Sequence, residues 1–459
     1  MSIKIKIPTD VNKLIHALQN HGYSASVVGG CVRDSILGRE PHDWDICTSA
    51  TPEQMMEVFK DYHIIPTGLQ HGTITIMLNG VGYEVTTFRL DGNYSDGRHP
   101  DSVKFTSNLI EDLSRRDFTV NAMAYNDDEG LIDPFGGLYD LENKVIRCVG
   151  KAEDRFNEDA LRMLRAIRFA CQLDFDIHPS IGWQLGYTNI TQKLNDISAE
   201  RINSEFIKMI TTDTFYKKLV WHHGVFTLFI PELKDTIYFK QNNPYHVYDV
   251  FLHTVHALKE CKSDDLIVRL AVLFHDIGKP YCKTTDEDGI DHFKGHGLVS
   301  TDMTFLIMKR LKFDMKTINN VVELVRYHDA TFEVSKKHVK RWLNKIGEEQ
   351  FRRLLEVRVA DVRAQNPRYE QDRCEKICDI ENILEEVLQE NECFSLKDLA
   401  VNGKDLIEIG FHPGKELGNT LNDLLQLVID GVDNNRETLL TLAKSMYIAN
   451  YVLPNDIGV

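Results

Sequence analysis

No apolar run in the 459 residues is long enough to cross a bilayer, and the opening MSIKIKIPTD has no signal-peptide core. Both absences lead us to expect a cytoplasmic protein with no membrane role. The nine cysteines contain no C-x-x-C pair, and the closest two, Cys374 and Cys378, are spaced for one face of a helix. That speaks against a disulfide framework or a cysteine zinc site and for reduced thiols. Positive charge is short: a net charge of −16 disfavours coating nucleic acid by bulk attraction, though not a local basic groove. No Walker loop and no kinase-type lysine motif occurs, which disfavours the common ATPase and kinase readings. Internal repeats and low-complexity tracts are missing as well.

What is present is an ordinary globular composition, 42% hydrophobic and 27% charged, in a chain too long for one comfortable core. The first 150 or so residues alternate strand-like and helix-like patterns. VNKLIHALQNHG reads as helix, YSASVVGG and WDICTS as strands, and PEQMMEVFKDY as a helix starting at Thr51-Pro52. GTITIML and YEVTTF alternate at period two around an Asn-Gly, a hairpin signal. Beyond residue 150 helical spacing dominates, with breaks expected near residues 230 to 245 and at RAQNPRYEQD.

Within HDWDICTSATP, residues 42–52, Asp43 and Asp45 stand one residue apart. On a strand they would project to one side with Trp44 behind them. Paired carboxylates repel unless a cation lies between them, and hard Mg²⁺ prefers oxygen ligands. A solvated acid pair on a surface strand would read the same. The upstream VVGGCVRD adds a strand, the pair Gly29-Gly30 and a helix start, where backbone amides and Arg33 favour phosphate. A third acid, Glu84, lies on the expected hairpin. Carboxylate-bound metal beside a phosphate cradle suits in-line attack on a triphosphate.

GGCVRDSILGREPHDWDICTSATPE resembles the head motif of class II tRNA nucleotidyltransferases, the CCA-adding enzymes of the DNA polymerase beta-like superfamily. PTGLQHGTITI, YEVTTFRLDGNYSDGRHPDSVKF, DLSRRDFTVNAMAYN, LIDPFGGLYDLENKVIR and RFNEDALRMLRAIRFA follow in the family's order, covering residues 25–170. The resemblance implies that Asp43 and Asp45 bind catalytic Mg²⁺; Glu84 joins them as a catalytic candidate from its place on the hairpin. It implies that Gly30 and Arg33 contact the triphosphate, as does Arg116 in preference to Arg115. Asp159 and Arg162 would bond the Watson–Crick edge of CTP or ATP, with Arg165 and Arg168 supporting base and phosphates. At 100° per residue these four form a charged band on one helix, opposite Ala160, Leu164 and Ile167. A solvated face with i,i+3 ion pairs would look the same. DGNYSDGRHPDSVKF matches the loop that full CCA-adding members keep, and the basic stretch typical of poly(A) polymerases after the first hairpin is missing.

VFLHTVHAL, AVLFHDIGKP, DHFKGHGLVSTD and VRYHDA resemble an HD domain, a metal-dependent phosphohydrolase fold. His253, His275, Asp276 and His296, with His328 and Asp329 as further candidates, would suit Mn, Fe, Ni or Zn ions better than Mg²⁺. A helical segment that only positions RNA is the plainer reading. VNGKDLIEIGFHPGKELGNTLNDLLQLVIDG resembles the family's tRNA-gripping tail; within it GFHPGKELG reads either as helix-start amides and Lys415 presented to the RNA backbone or as an ordinary loop between two packed helices.

The expected fold is α+β: a nucleotidyltransferase head with a small mixed sheet over 1–150, then an all-helical body. The body comprises a neck carrying the base-selecting helix (151–235), an HD domain (236–345) and a tRNA-binding tail (346–459). The expected activity is addition of CCA to the tRNA 3′ end from CTP and ATP, with tRNA the only macromolecular partner. CC-only or A-only addition, poly(A) synthesis, or chiefly an HD-type hydrolase acting on RNA ends are the alternatives.

Overall fold

Helix α1 (Thr9–Asn20) opens the chain because Val11, Leu14, Ile15 and Leu18 recur at helical spacing and are all buried. The computed structural model describes residues 3–92, 102–186 and 188–449. The expected loop at DGNYSDGRHPDSVKF falls largely outside them, at residues 93–101. The described chain forms two compact units, Met1–Pro231 and Glu232–Val459.

In the first unit β1 (Ala25–Val28) runs into the short helix α2 (Gly30–Ile36), and β2 (Ile46–Thr48) follows. Helix α3 (Pro52–Val58) starts at Thr51, whose hydroxyl and Gln54 close a capping box; such a cap contributes about 1 kcal/mol. After β3 (His63–Gly68), β4 (Thr73–Leu78) and β5 (Val81–Thr87) make the expected hairpin. Asn79 and Gly80 both take positive φ, 53° and 81°, matching the twist of the strands they join. The small pair β6 (Arg89–Asp91) and β7 (Val103–Phe105) leads to α4 (Leu109–Ser114), then β8 (Ala124–Asn126), β9 (Gly130–Ile132), α5 (Gly137–Glu142) and β10 (Val145–Ile146).

Seven strands form one sheet in the order β3-β4-β5-β2-β1-β8-β9. Its mixed character comes from β2 and β5, which run parallel with Ile46 opposite Val85. The central β1 is buried at every position, whereas β4 alternates, with Ile74 and Ile76 inward.

Helices α6 (Ala152–Glu158) and α7 (Leu161–Leu173) follow. Beyond β11 (Asp176–Ile177) come α8 (Pro179–Gly186), α9 (Thr188–Thr191), α10 (Ala199–Ile210), α11 (Phe215–Trp221) and α12 (His223–Phe229). Phe206, Phe215, Phe226 and Phe229 meet edge to face with centroids 5.5–6.1 Å apart, an arrangement aromatic quadrupoles favour.

The second unit is helical, with α13 (Val250–Glu260) beside α14 (Leu266–Phe274). α14 is apolar over nearly its whole surface and is accordingly buried. A two-residue pairing, β12 (Thr284–Thr285) with β13 (Asp291–His292), precedes α15 (His296–Arg310) and is too short to leave a period-two pattern. Helices α16 (Met315–Tyr327) and α17 (Lys336–Arg363) follow, the latter kinked at Gly347. The break at RAQNPRYEQD separates α17 from α18 (Glu370–Gln389). Helices α19 (Gly403–Ile409), α20 (Lys415–Ile429) and α21 (Arg436–Tyr447) close a separate apolar cluster around Leu424, Leu425 and Leu439. Among the described residues no helix is long and apolar enough to cross a membrane.

Candidate active site

The sheet delivers the glycine pair to its site. Gly29 takes φ +83° at the end of β1 and donates its N–H to the Met123 carbonyl at 3.1 Å. A Cβ there would stand 3.0 Å from Arg116 Nη1, so this guanidinium lies directly over the bare backbone. Arg116 Nη2 is 3.6 Å from Asp112, and its buried Nε has no hydrogen-bond partner among the described residues. Arg115 is otherwise engaged, held by Asp112 at 2.8 Å.

The two aspartates lie in the extended lead into β2, not on the strand itself, because regular pairing starts only at Ile46. The ladder is nonetheless anticipated one residue earlier, where the Asp45 carbonyl accepts from Val28 N–H at 3.0 Å. Asp43 and Asp45 are exposed and Trp44 between them is half-buried. The parallel register of Ile46 with Val85 brings the preceding residue of β5, exposed Glu84, beside Asp45. The Asp45 carboxyl is raised above its ordinary value: surrounding protein strips water from it, and Glu84 and Asp43 repel its charge against the pull of Arg116. All three acids offer oxygen, the donor type that a hard divalent cation takes.

Arg33, in the first turns of α2, is clamped by Asp34 through two bonds of 2.9 Å and donates Nη1 to Asn121 at 2.6 Å. Asn121 donates to Asp117 at 3.3 Å, and Asp117 receives Arg165 at 2.6 and 2.8 Å. Burial works to raise the Asp117 carboxyl, but Arg165 beside it holds it below the usual range.

The expected charged band is only partly on one helix. Asp159 sits in the break between α6 and α7, with φ −145°, and one of its oxygens accepts from Leu161 N–H at 2.9 Å. Its other oxygen accepts from Arg201 of α10 at 2.8 Å. The Arg162 guanidinium is held by Glu158 at 2.5 Å, and its backbone N–H donates to the Asp159 carbonyl at 3.0 Å. Arg165 stays part-open, whereas Arg168 is 8% exposed and closed by Glu205 at 2.5 Å and Gln172 at 2.8 Å. Along α7 the band is most open at Arg165, between the largely covered Arg162 and Arg168. Asp117, Asn121, Arg201 and Glu205 escaped sequence reading, since partners 37 to 88 residues distant leave no periodic signal.

In the second unit the histidines converge. Each of His253, His275, His296 and His328 places Nδ1 within 2.7–3.3 Å of a backbone carbonyl. Donation from Nδ1 leaves Nε2 as a lone pair, and the Nε2 atoms face one another in two pairs, 3.2 Å between His253 and His275 and 3.0 Å between His296 and His328. Asp276 lies between the pairs, Oδ2 at 3.2 Å from His275 and Oδ1 at 3.2 Å from His296. The helices place these groups at their ends: Asp276 follows α14, His296 opens α15 and His328 follows α16. Asp361 on α17, unmarked by any motif, completes the set 3.0 Å from His253 Nε2. Asp329 stands apart, half-exposed and 3.7 Å from the opposite nitrogen of His296, because α16 ends one residue before His328 and the chain turns away. Burial penalises charge on Asp276 and Asp361, yet an imidazole facing each, once its Nε2 takes up a proton, and Lys279 at 2.6 Å from Asp276 hold both carboxyls well below the ordinary range.

Residues 25–147 match the model of the poly A polymerase head domain, 187–237 the "Probable RNA and SrmB- binding site of polymerase A", and 299–443 tRNA nucleotidyltransferase domain 2. The CCA-adding enzyme of Streptococcus thermophilus is 32% identical over 452 residues, spanning 96% of this chain and 98% of its own length. That of Levilactobacillus brevis is 33% identical over 438 residues, 94% and 96% of the two chains. The crystal structure of the Bacillus stearothermophilus CCA-adding enzyme in complex with CTP superposes with a TM-score of 0.68 at 27% identity, covering 96% of this chain and 98% of that one. Near-complete coverage at this identity decides the family: the chain belongs to the CCA-adding enzymes and is a tRNA nucleotidyltransferase.

Proposed function

We propose that the site at the end of β1 adds C, C and A to the tRNA 3′ end from CTP and ATP, the protein's own side chains choosing the base. The observation that carries this reading is the gathering of Asp43, Glu84 and Arg116 about Asp45, with Arg116 against the backbone of Gly29 and Arg33 against that of Gly30. Asp43 and Asp45, with Glu84 beside them, would hold Mg²⁺, which when bound supplies charge neutralisation at the triphosphate and activation of the RNA 3′ hydroxyl. Gly30 leaves the backbone open to the phosphates. Arg33 and Arg116 bind phosphate oxygens through their guanidinium groups. Asp159 accepts from the exocyclic amino group that cytosine and adenine share, and Arg162 donates to the ring acceptors beside it. Arg165 steadies both through Asp117, and Arg168 buttresses α7 from within.

Within this reading residues 1–150 are the catalytic head, 151–235 the neck, and the remainder the HD segment and the tRNA-binding tail, with Lys415 at the start of α20 offered to the RNA backbone. The acceptor stem is read by shape and phosphate, as an enzyme serving every tRNA requires, and the work is cytoplasmic. Binding titrations test the assignments. Arg33→Ala and Arg116→Ala should weaken CTP and ATP alike, while Asp159→Ala should chiefly relax the choice between CTP or ATP and UTP or GTP. Unchanged affinity in the arginine variants would contradict the phosphate assignment.

A second reading concerns the histidines. Four Nε2 lone pairs and two carboxylates directed at one buried space support a transition-metal centre of the HD type, with Mn, Fe, Ni or Zn as occupants. Such a metal would supply an activated water for hydrolysis of a cyclic or terminal phosphate on damaged tRNA ends. Elemental analysis of purified protein against His275→Ala tests it: stoichiometric metal lost in the variant is expected, and metal-free wild-type protein would contradict it.

A further inference from the structure

Three arginines of the first unit surround one ring. The guanidinium carbons of Arg168, Arg33 and Arg165 lie 3.8, 5.1 and 5.6 Å from the centroid of Phe169, which is 7% exposed. Phe118 meets the same ring edge to face at 5.7 Å, fixing its orientation. Each guanidinium also has its own anchor: Asp34 for Arg33, Asp117 for Arg165 and Glu205 for Arg168. Anchors set the ends of these side chains, but nothing in an ion pair selects one rotamer stem over another. A ring whose faces attract cations does, because it rewards a guanidinium only within about 6 Å of its centre.

Arg33 and Arg165 come from different helices, α2 and α7, and the path Arg33–Asn121–Asp117–Arg165 joins them by hydrogen bonds. Phe169 joins them a second time, closing a loop whose two ends are the phosphate-side and base-side arginines. We infer that Phe169 is a positioning residue for nucleotide selection, holding Arg33 and Arg165 in register so that triphosphate and base are recognised together. It touches no reacting atom and acts through the arginines. This rests on the assignment of Arg33 to the triphosphate and Arg165 to the base side.

The test uses the full chain with tRNA ending before the CCA. Phe169→Leu keeps an apolar side chain and removes the ring; apparent KM for CTP and ATP should rise about tenfold, with kcat changed by less than about threefold. Discrimination against UTP and GTP should fall with it, and Phe169→Tyr should restore both. Because Phe169→Leu removes buried contacts, a shape-preserving probe accompanies it: pentafluorophenylalanine at position 169 keeps the packing and reverses the attraction for cations. A raised KM with this ring at unchanged Tm is expected. A double-mutant cycle with Arg33→Ala separates the causes. Losses that fail to add support action through Arg33. Fully additive losses, or a wild-type KM and base choice in the fluorinated protein, overturn the role of the ring. A wild-type KM in Arg33→Ala alone would overturn the underlying phosphate assignment.

Discussion

Asp45, one residue ahead of β2, stands beside Glu84 of the parallel β5, and its carboxyl is raised above its ordinary value by loss of water, with Glu84 and Asp43 adding repulsion. A folded state that binds its proton more tightly than the unfolded chain loses stability as pH rises past the ordinary carboxylate range. The acid cluster therefore costs stability at neutral pH. Asp45→Asn removes the charge at nearly constant shape, so Tm at pH 7 should rise while nucleotide addition falls by at least about 10³-fold, the scale on which removing electrostatic support for a transition state is felt. Calorimetry and single-turnover addition on the same preparation check both halves.

Gly29 is the position where backbone conformation and contact act together. Its φ of +83° disfavours any side chain, and a Cβ would stand 3.0 Å from Arg116 Nη1. Gly29→Ala should cost about 1–2 kcal/mol from the left-handed backbone and displace Arg116, raising KM for both nucleotides. Gly22→Ala, also at positive φ but with open space around it, should lose stability without the kinetic change. Urea melts and steady-state kinetics distinguish them.

Arg168 and Glu205 form an ion pair whose side chains are only 9% and 7% exposed. Glu205→Ala strands a buried guanidinium and should cost about 3–5 kcal/mol in equilibrium unfolding. Arg168→Met with Glu205→Leu should recover most of that loss, since an apolar pair of similar volume avoids the desolvation. Failure of the double variant to recover would mean that Arg168 contributes through Phe169 and not chiefly through charge pairing.

Asp117 carries stability with the opposite sign from Asp45. Its carboxyl, despite burial, is held below the usual range by Arg165, so its contribution is full above the unfolded value and is lost as pH falls through the folded one. The Tm difference between wild type and Asp117→Asn should therefore be largest near neutrality and shrink on acidification. A pH-independent difference would point to packing.

Much of the site was legible because it is local in sequence. The strand, the Gly29-Gly30 pair and the start of α2 follow from VVGGCVRD, and the hairpin follows from Asn79-Gly80. Ordered motifs over residues 25–170 carried the family. Asp43 and Asp45 fell off their expected strand because an exposed, charged lead-in ends regular pairing at Ile46 without losing the alternation of side chains. What could not be read was partnership across distance. Arg201 reaches Asp159 from a helix 42 residues on, and Asp361 reaches His253 from α17 with no motif to mark it. Helical periodicity placed Asp159 on α7 although it ends up in the break before it, where its carboxylate caps the following turn at Leu161.

The most direct test uses tRNA transcripts ending before the CCA, after the first C and after the second, each with Mg²⁺ and labelled CTP or ATP, and product read at single-nucleotide resolution. Completion to CCA followed by arrest, abolished in an Asp43→Ala Asp45→Ala variant of unchanged fold, is the expected result. Arrest at CC, long A tails, or addition that survives loss of both aspartates would contradict it.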